Sequence, residues 1–407
     1  MQAPPAFCSK MSACHNLGCM GRIWIWGFRV FIAMLLCGTP AHGQEIPISK
    51  PVWRTDLRQA GLTVPSFQFS LSVHPLRTES ILSPESLAFG RGGHIVLAFI
   101  SQEIGGRGSS ILSVEASRKL RLISLDAATG RIVANRIWPV PGPTLGELCV
   151  GATEDGNFVV LSRNALCVYA PDLQEIDRID LPADPENSTS GWKLRVPPGG
   201  DVVFLEHYLN GSRTLRMLTA TPLREVRTWH KSEVLSSVSE KYFAKVGRNN
   251  DLYVRAFDTP WHAIAELGRY RALWGSGARF MNEDSLIVAR RDSVQLIRVD
   301  GQILFTAHPP KGRLVASAWG SLDGRFVAVA ADRMTGITME TLDMYRHPSP
   351  WRILVYDTKS GNTVSALRFT WGLACAFSPD SSALAVLSGG IIELLSLPQR
   401  NKAGAAD

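Results

Sequence analysis

The sequence predicts an all-β fold, a seven-bladed β-propeller of four-stranded antiparallel blades, and three observations lead there. One phrase recurs seven times between Phe89 and Leu387: an apolar strand, a turn rich in Gly, Asp or Asn, then a second strand heavy in Val, Leu and Ala. Such a repeated theme marks a repeat architecture. The strands after the turns are near-continuous apolar runs, such as Ile95-Val-Leu-Ala-Phe-Ile100 and Phe326-Val-Ala-Val-Ala330, as expected of strands packed on both faces. The last repeat is also one strand short while the N-terminal side has one to spare, a pairing that closes a ring and removes its edges.

The elements follow in order. Turns between first and second strands fall at Arg91-Gly-Gly-His94, Glu154-Asp-Gly-Asn157, Pro198-Gly-Gly-Asp201, Arg248-Asn-Asn-Asp251, Asn282-Glu-Asp-Ser285, Leu322-Asp-Gly-Arg325 and Pro379-Asp-Ser-Ser382. These residue types tolerate the left-handed backbone that tight hairpins need. Third strands read Leu120–Leu125, Ala165–Tyr169, Leu215–Leu218, Val294–Val299, Arg352–Tyr356 and Ile391–Leu395. Asp126-Ala-Ala-Thr-Gly130 and Asp357-Thr-Lys-Ser-Gly361 then share Asp-x-x-(Thr/Ser)-Gly, in which Asp accepts backbone N–H bonds and Gly supplies positive φ. After Pro398 only a polar tail, 399–407, remains, and the strictly alternating Phe67-Gln-Phe-Ser-Leu-Ser-Val73 is the expected closing strand. The propeller is assigned to 65–398 and a linker to 44–64, with about 48 residues per blade, the excess over the ~40–45 of WD-type repeats lying in long loops.

The first 43 residues differ chemically from the rest. Arg22 and Arg29 precede the apolar run Val30–Gly38 and the small-residue triplet Ala41-His-Gly43, the pattern of a secretory signal peptide cleaved before Gln44. The run is far short of the ~20 residues that span a bilayer, so a secreted or periplasmic protein without a membrane span is expected. The whole chain carries a net charge of +7; losing Lys10, Arg22 and Arg29 lowers Lys plus Arg from 43 to 40 against 36 acids, which leaves +4. The basic residues are scattered, without a basic arm, so no nucleic-acid partner is expected. Cys149, Cys167 and Cys375 remain in the mature part. Cys149 and Cys167 fall two strands apart, roughly 9.6 Å, too far for a disulfide, and all three are expected as buried thiols.

Phe377-Ser-Pro-Asp380 and the turn Val355-Tyr-Asp-Thr-Lys-Ser-Gly361 resemble WD40 and YVTN-type β-propeller repeats of bacterial exported proteins, most closely in the sixth and seventh blades. The chain departs from WD40 in lacking Gly-His at the blade entries and any Trp-Asp pair. Leu125-Asp-Ala-Ala-Thr-Gly-Arg131 also looks like a quinoprotein turn, but Ala134 stands where that family carries Trp, so no quinone and no other cofactor is expected.

Catalytic motifs are missing. No Gly-x-Ser-x-Gly elbow, phosphate loop or dinucleotide glycine motif occurs, and His74, His94, His207, His230, His262, His308 and His347 show no metal-ligand spacing. Glu154-Asp155 and Glu283-Asp284 read as solvated turn acids. The connections Ser101–Arg118 and Asp332–Pro350, between second and third strands of the first and sixth blades, exceed what a blade needs. They should project from one face, offering Glu103, Arg107, Arg333, Asp343, Tyr345, Arg346 and His347 to a partner. The expected function is an exported, non-catalytic scaffold binding a protein or small ligand. The alternative is a propeller hydrolase, lactonase or lyase with its site in the central channel.

Overall fold

The computed structural model describes residues 48–62, 77–81, 85–104, 119–139, 149–162, 165–182, 191–209, 212–230, 233–247, 250–267, 277–332, 351–369 and 374–399. They form seven antiparallel blades whose strands run from inner to outer in chain order, except that the outermost strand of the last blade and an extra strand of the first come from earlier in the chain. The inner strands are Leu87–Gly90, Val150–Ala152, Gly191–Arg195, Ser237–Val238, Ala278–Phe280, Leu314–Gly320 and Ala374–Phe377. No described helix is long and apolar enough to cross a membrane.

The turn chemistry that repeats in the sequence is what fixes the blades. In blade 7, Ser378 Oγ donates to Asp380 Oδ1 at 2.6 Å, and that carboxylate accepts from Ser382 N at 3.1 Å. Ser378 Oγ in turn accepts from Ala383 N at 2.9 Å, where the second strand begins. Blade 6 repeats the arrangement with Ser321, Asp323 and Phe326 N, at 2.7 Å and 2.8 Å. Between third and outer strands, Asp126 accepts from Thr129 N at 2.8 Å and Asp357 from Ser360 N at 2.9 Å, with Gly130 and Gly361 at φ 71 and 74. One short side chain thereby satisfies the backbone donors that the turn would otherwise expose.

The cores lie between blades. Blades 7 and 1 share Ile95, Leu97, Phe99, Ile123, Leu387 and Ile392; blades 6 and 7 share Phe326, Ile353, Val355, Leu384 and Val386. Inner strands approach so closely that a Cβ on Gly320 would collide with Met281 of the neighbouring blade. Blades 3 and 4 meet differently, through Phe204, Trp229, Phe243 and Phe257, with ring centroids 4.6–6.4 Å apart. Arg255 and Lys245 lie over Trp261 at 4.7 and 4.3 Å beside this cluster. Cys149, Cys167 and Cys375 are free and buried, as expected from strand spacing.

Three expectations need correction. The outer strand of blade 7 is Trp53–Asp56, in register with Leu394–Ile391, so an N-terminal strand closes the ring but from within the segment assigned as linker. Phe67–Val73 lies outside the described residues. Alternation is a poor guide to Trp53–Asp56 because the strand is only four residues long and is held by what surrounds it. Ser49 bonds the outer strand of blade 6 through Ala366, Trp53 Nε1 donates to Ala127 O of blade 1 at 2.7 Å, and Leu57 and Leu62 are buried in the core of blades 7 and 1. In blade 4, Asn250 at φ 65 turns the second strand, Tyr242–Val246, into the third, Asp251–Ala256, rather than the first into the second. Its first turn hangs on Ser239 Oγ, which accepts from Tyr242 N at 3.0 Å, without Gly or Asp to mark it. In blade 1 the second strand, His94–Ile104, continues into the expected loop, and Arg77–Ile81 pairs with that extension.

Candidate functional site

The inner strands surround a central cavity of about 320 Å³, walled largely by small and apolar residues such as Ala88, Val150, Gly151, Gly320 and Ala376. This agrees with the apolar character of the inner strands in the sequence. Against that wall stand a few charged side chains that the sequence reading did not single out: Glu85, Arg195 and Arg279 line the cavity.

Arg279, on the inner strand of blade 5, reaches Glu85 of blade 1 across the channel, Nη2 to Oε1 at 3.1 Å. Burial alone would raise the Glu85 carboxyl, but Arg279, then Lys193 and Arg195, and the Cys149 thiol that donates to it outweigh that cost and hold it below its ordinary range. The Glu85 side chain keeps 37% of its exposure, so solvent reaches it along the channel even though protein surrounds it. Burial pushes the Cys149 thiol well above its ordinary value and the Glu85 charge adds to the effect. The thiol therefore stays protonated, opposite to what a nucleophilic cysteine requires.

Arg195 is fixed from behind. Its Nη1 donates to Ser236 O at 3.0 Å, its Nη2 donates to Leu235 O, and both its Nε and Nη2 face Glu206 Oε2 at 3.4 Å. Glu206, 3% exposed, takes a second cation in Arg213, whose Nη1 is 2.6 Å from Oε1. A carboxylate this deep is tolerated because two guanidinium groups share it. Trp192-Lys-Leu-Arg195 carried the readable signal: its strict alternation of apolar and basic residues, repeated in the shorter Ala278-Arg-Phe280 of blade 5, departs from the uncharged inner strands of the other blades.

A second charged group occupies the first turns of blades 2 to 5. Glu154 and Asp201 share a hydrogen bond, and Arg91 donates to Glu154 at 2.7 Å. The Asp201 carboxyl is pushed up to about 6, first by that shared bond, then by burial and the Glu240 charge. Glu154 is held below its ordinary range by Asp201 and Arg91. Burial raises the Glu240 and Glu283 carboxyls, and Glu283 Oε1 accepts from Glu240 N at 3.4 Å. Glu154 and Glu283 are turn acids, as expected, but the ring sets each beside an acid of the neighbouring blade. Among the described residues no group of three or more His, Cys, Asp or Glu is arranged to hold a metal ion.

Of the residues expected on the insertion face, Glu103 belongs to the blade 1 strand extension, its backbone paired with Thr78. Its side chain, with Arg107, Arg333, Asp343, Tyr345, Arg346 and His347, lies outside the described residues.

No family model matches the chain, and no curated protein does either. Among solved structures it is similar to a chain of the mitotic checkpoint complex, with 11% identity, a TM-score of 0.43, and coverage of 83% of this chain and 97% of that one. It is also similar to the WD40 domain of SCAP from fission yeast, with 11% identity, a TM-score of 0.38, and coverage of 80% and 98%. BamB from Moraxella catarrhalis aligns at 14% identity with a TM-score of 0.35, over 79% of this chain and 100% of that one.

Proposed function

We propose that this chain is an exported, non-catalytic binding scaffold of the YVTN-like kind, holding a protein or small ligand at the channel and at the face where the long connections of blades 1 and 6 emerge. The observation that carries the reading is the contrast between a tightly packed ring and a channel that is small-walled, open to solvent and charged at a few fixed positions. A wall of Ala, Gly and Val beside anchored arginines suits recognition: apolar surface supplies area, and few charges set orientation. The one thiol beside those charges is kept protonated, which favours binding over covalent chemistry. Export rests on the leader-like residues 1–43.

The second strands of blades 1 and 6 end at Ile104 and Asp332, the equivalent end of each blade, and this supports assigning both long connections to one face. The test uses the mature chain as bait in an envelope extract of its host, beside a version with 333–350 replaced by a short Gly/Ser turn. A partner captured by the first and lost from the second supports the reading; equal capture by both contradicts the assigned face. Fusing residues 1–43 to a reporter active only outside the cytoplasm checks export, and an inactive fusion removes that part of the proposal.

A further inference from the structure

We propose that the closing edge of the ring, the N-terminal strap from Ile48 with the outer strands of blades 6 and 1 beside it, docks on an anionic lipid bilayer. This surface is separate from the channel. From Ile48 to Thr55 the strap alternates strictly between exposed and partly buried residues, as an extended chain does when one face is covered. The covered residues fasten it. Ser49 Oγ accepts from Ser365 Oγ at 2.8 Å and from Ala366 N at 3.2 Å, both in blade 6, while Trp53 and Thr55 donate to Ala127 O and Gly130 O of blade 1, each at 2.7 Å. The outward row is therefore Ile48, Lys50, Val52 and Arg54, apolar and basic by turns, with Ile48 50% and Val52 57% exposed.

The flanking strands continue this chemistry. Ile132–Pro139 of blade 1 exposes Val133, Arg136 and Ile137, Thr363–Phe369 of blade 6 exposes Arg368, and neither strand contains an acid. Acids at the edge are few. Glu393 faces Arg54 at 3.4 Å and Asp56 pairs with Arg58; Asp126 and Asp357, in the adjoining turns, hold their own turn N–H groups, and Asp357 also faces Arg325 at 3.4 Å. With those acids spent, Lys50, Arg131, Arg136 and Arg368 are exposed and have no ion-pair partner among the described residues. Other outer strands lack the combination. Blade 2 sets three acids against one arginine in Glu175–Asp180, Arg227 of blade 3 is paired with Asp258 at 2.6 Å, and Ile303–Ala307 of blade 5 carries no charge.

Apolar side chains that enter the acyl boundary and cations that meet acidic headgroups hold a peripheral protein on a bilayer, each cation adding about fivefold in affinity. A bilayer is favoured over a soluble polyanion by where the strap begins. The expected leader ends at Gly43, and the chain from there to Ile48 spans at most about 18 Å, so this edge forms beside the membrane during export. That choice rests on the export reading. The test co-sediments residues 44–407 with vesicles of phosphatidylglycerol mixed with phosphatidylcholine, and with vesicles of phosphatidylcholine alone. Binding is expected to the first, weakening as salt rises, and not to the second. Lys50→Glu with Arg368→Glu should weaken it at least about twentyfold and Val52→Ser about fivefold. Arg178→Glu with Arg224→Glu, on the outer strands of blades 2 and 3, changes the net charge equally and should leave binding within about twofold. Each variant is checked for an intact thermal transition.

No sedimentation with the anionic vesicles, equal sedimentation with the neutral ones, or equal losses for the two charge-reversed pairs overturns the inference. Release by inositol hexakisphosphate, with Val52→Ser binding as the parent does, assigns the edge to a soluble polyanion and also overturns it. An active 1–43 reporter fusion without vesicle binding leaves export standing and removes the lipid edge. Vesicle binding in the expected pattern with an inactive fusion supports the edge and removes export.

Discussion

The junction of blades 7 and 1 and the junction of blades 3 and 4 occupy equivalent places in the ring and are built from different chemistry. The first is aliphatic, with Leu, Ile and Ala packed around Phe99, and is sealed by an N-terminal segment that touches blades 6, 7 and 1 in turn. The second combines an aromatic cluster with the buried trio Arg195, Glu206 and Arg213. The fold therefore constrains strand number and turn position but not what fills the space between blades. The aliphatic junction depends on a strap that can be removed, and the polar junction on one carboxylate that cannot be lost alone.

The largest expected effect breaks the first junction. Removing residues 44–62 takes away the outer strand of blade 7 together with Leu57 and Leu62, both at most 1% exposed. Losing even one such leucine side chain costs about 2–5 kcal/mol, so a fall in the urea midpoint well beyond that of any point substitution is expected. A midpoint within error of that of residues 44–407 would mean that the ring does not need its strap.

Next is Glu206→Ala, which leaves Arg195 and Arg213 beside an emptied buried site. Breaking a buried ion pair costs about 3–5 kcal/mol, and the partial exposure of Arg213, 27% at its side chain, places the expected loss at the lower end. Equilibrium denaturation measures it. A loss under about 1 kcal/mol, the scale of a surface pair, would show that the trio is better solvated than its burial implies.

The smallest effect concerns the acids of the first turns. The folded Asp201 carboxyl titrates at about 6, above its ordinary 3.8, so the folded chain retains a proton through a range where the unfolded chain has released it. That contribution to stability is fully present below about pH 4 and is lost as pH rises through about 6. Glu154, shifted down, acts with the opposite sign. Asp201→Asn keeps a donor toward Glu154 without the charge. It should melt slightly higher than the parent at pH 8, by a degree or two given the exposure of the site, with the difference vanishing near pH 4. A constant difference across that range would detach the effect from this carboxyl.

The same contrast explains what could be read from the sequence. The turns of blades 6 and 7 were legible because Ser-x-Asp and Asp-x-x-(Thr/Ser)-Gly encode them locally. Blade 4 was misregistered because its first turn is held by Ser239 alone while Asn250 gives the strong turn signal one hairpin later. Trp53–Asp56 was missed because its partners lie on two blades far along the chain, and such contacts leave little periodicity in four residues. Arg279 was missed as a channel group because only closure of the ring brings it to Glu85.

Hydrogen exchange on residues 44–407, free and in complex with a captured partner, tests most directly whether the channel and its mouth form the binding surface. The expected result is added protection in the inner strands Leu87–Gly90, Gly191–Arg195 and Ala278–Phe280 and in the strand extension ending at Ile104. Protection confined to the outer strands, where Val133, Ile137, Ile176, Val226 and Ile303 are exposed, would contradict the account and place binding on the blade edges.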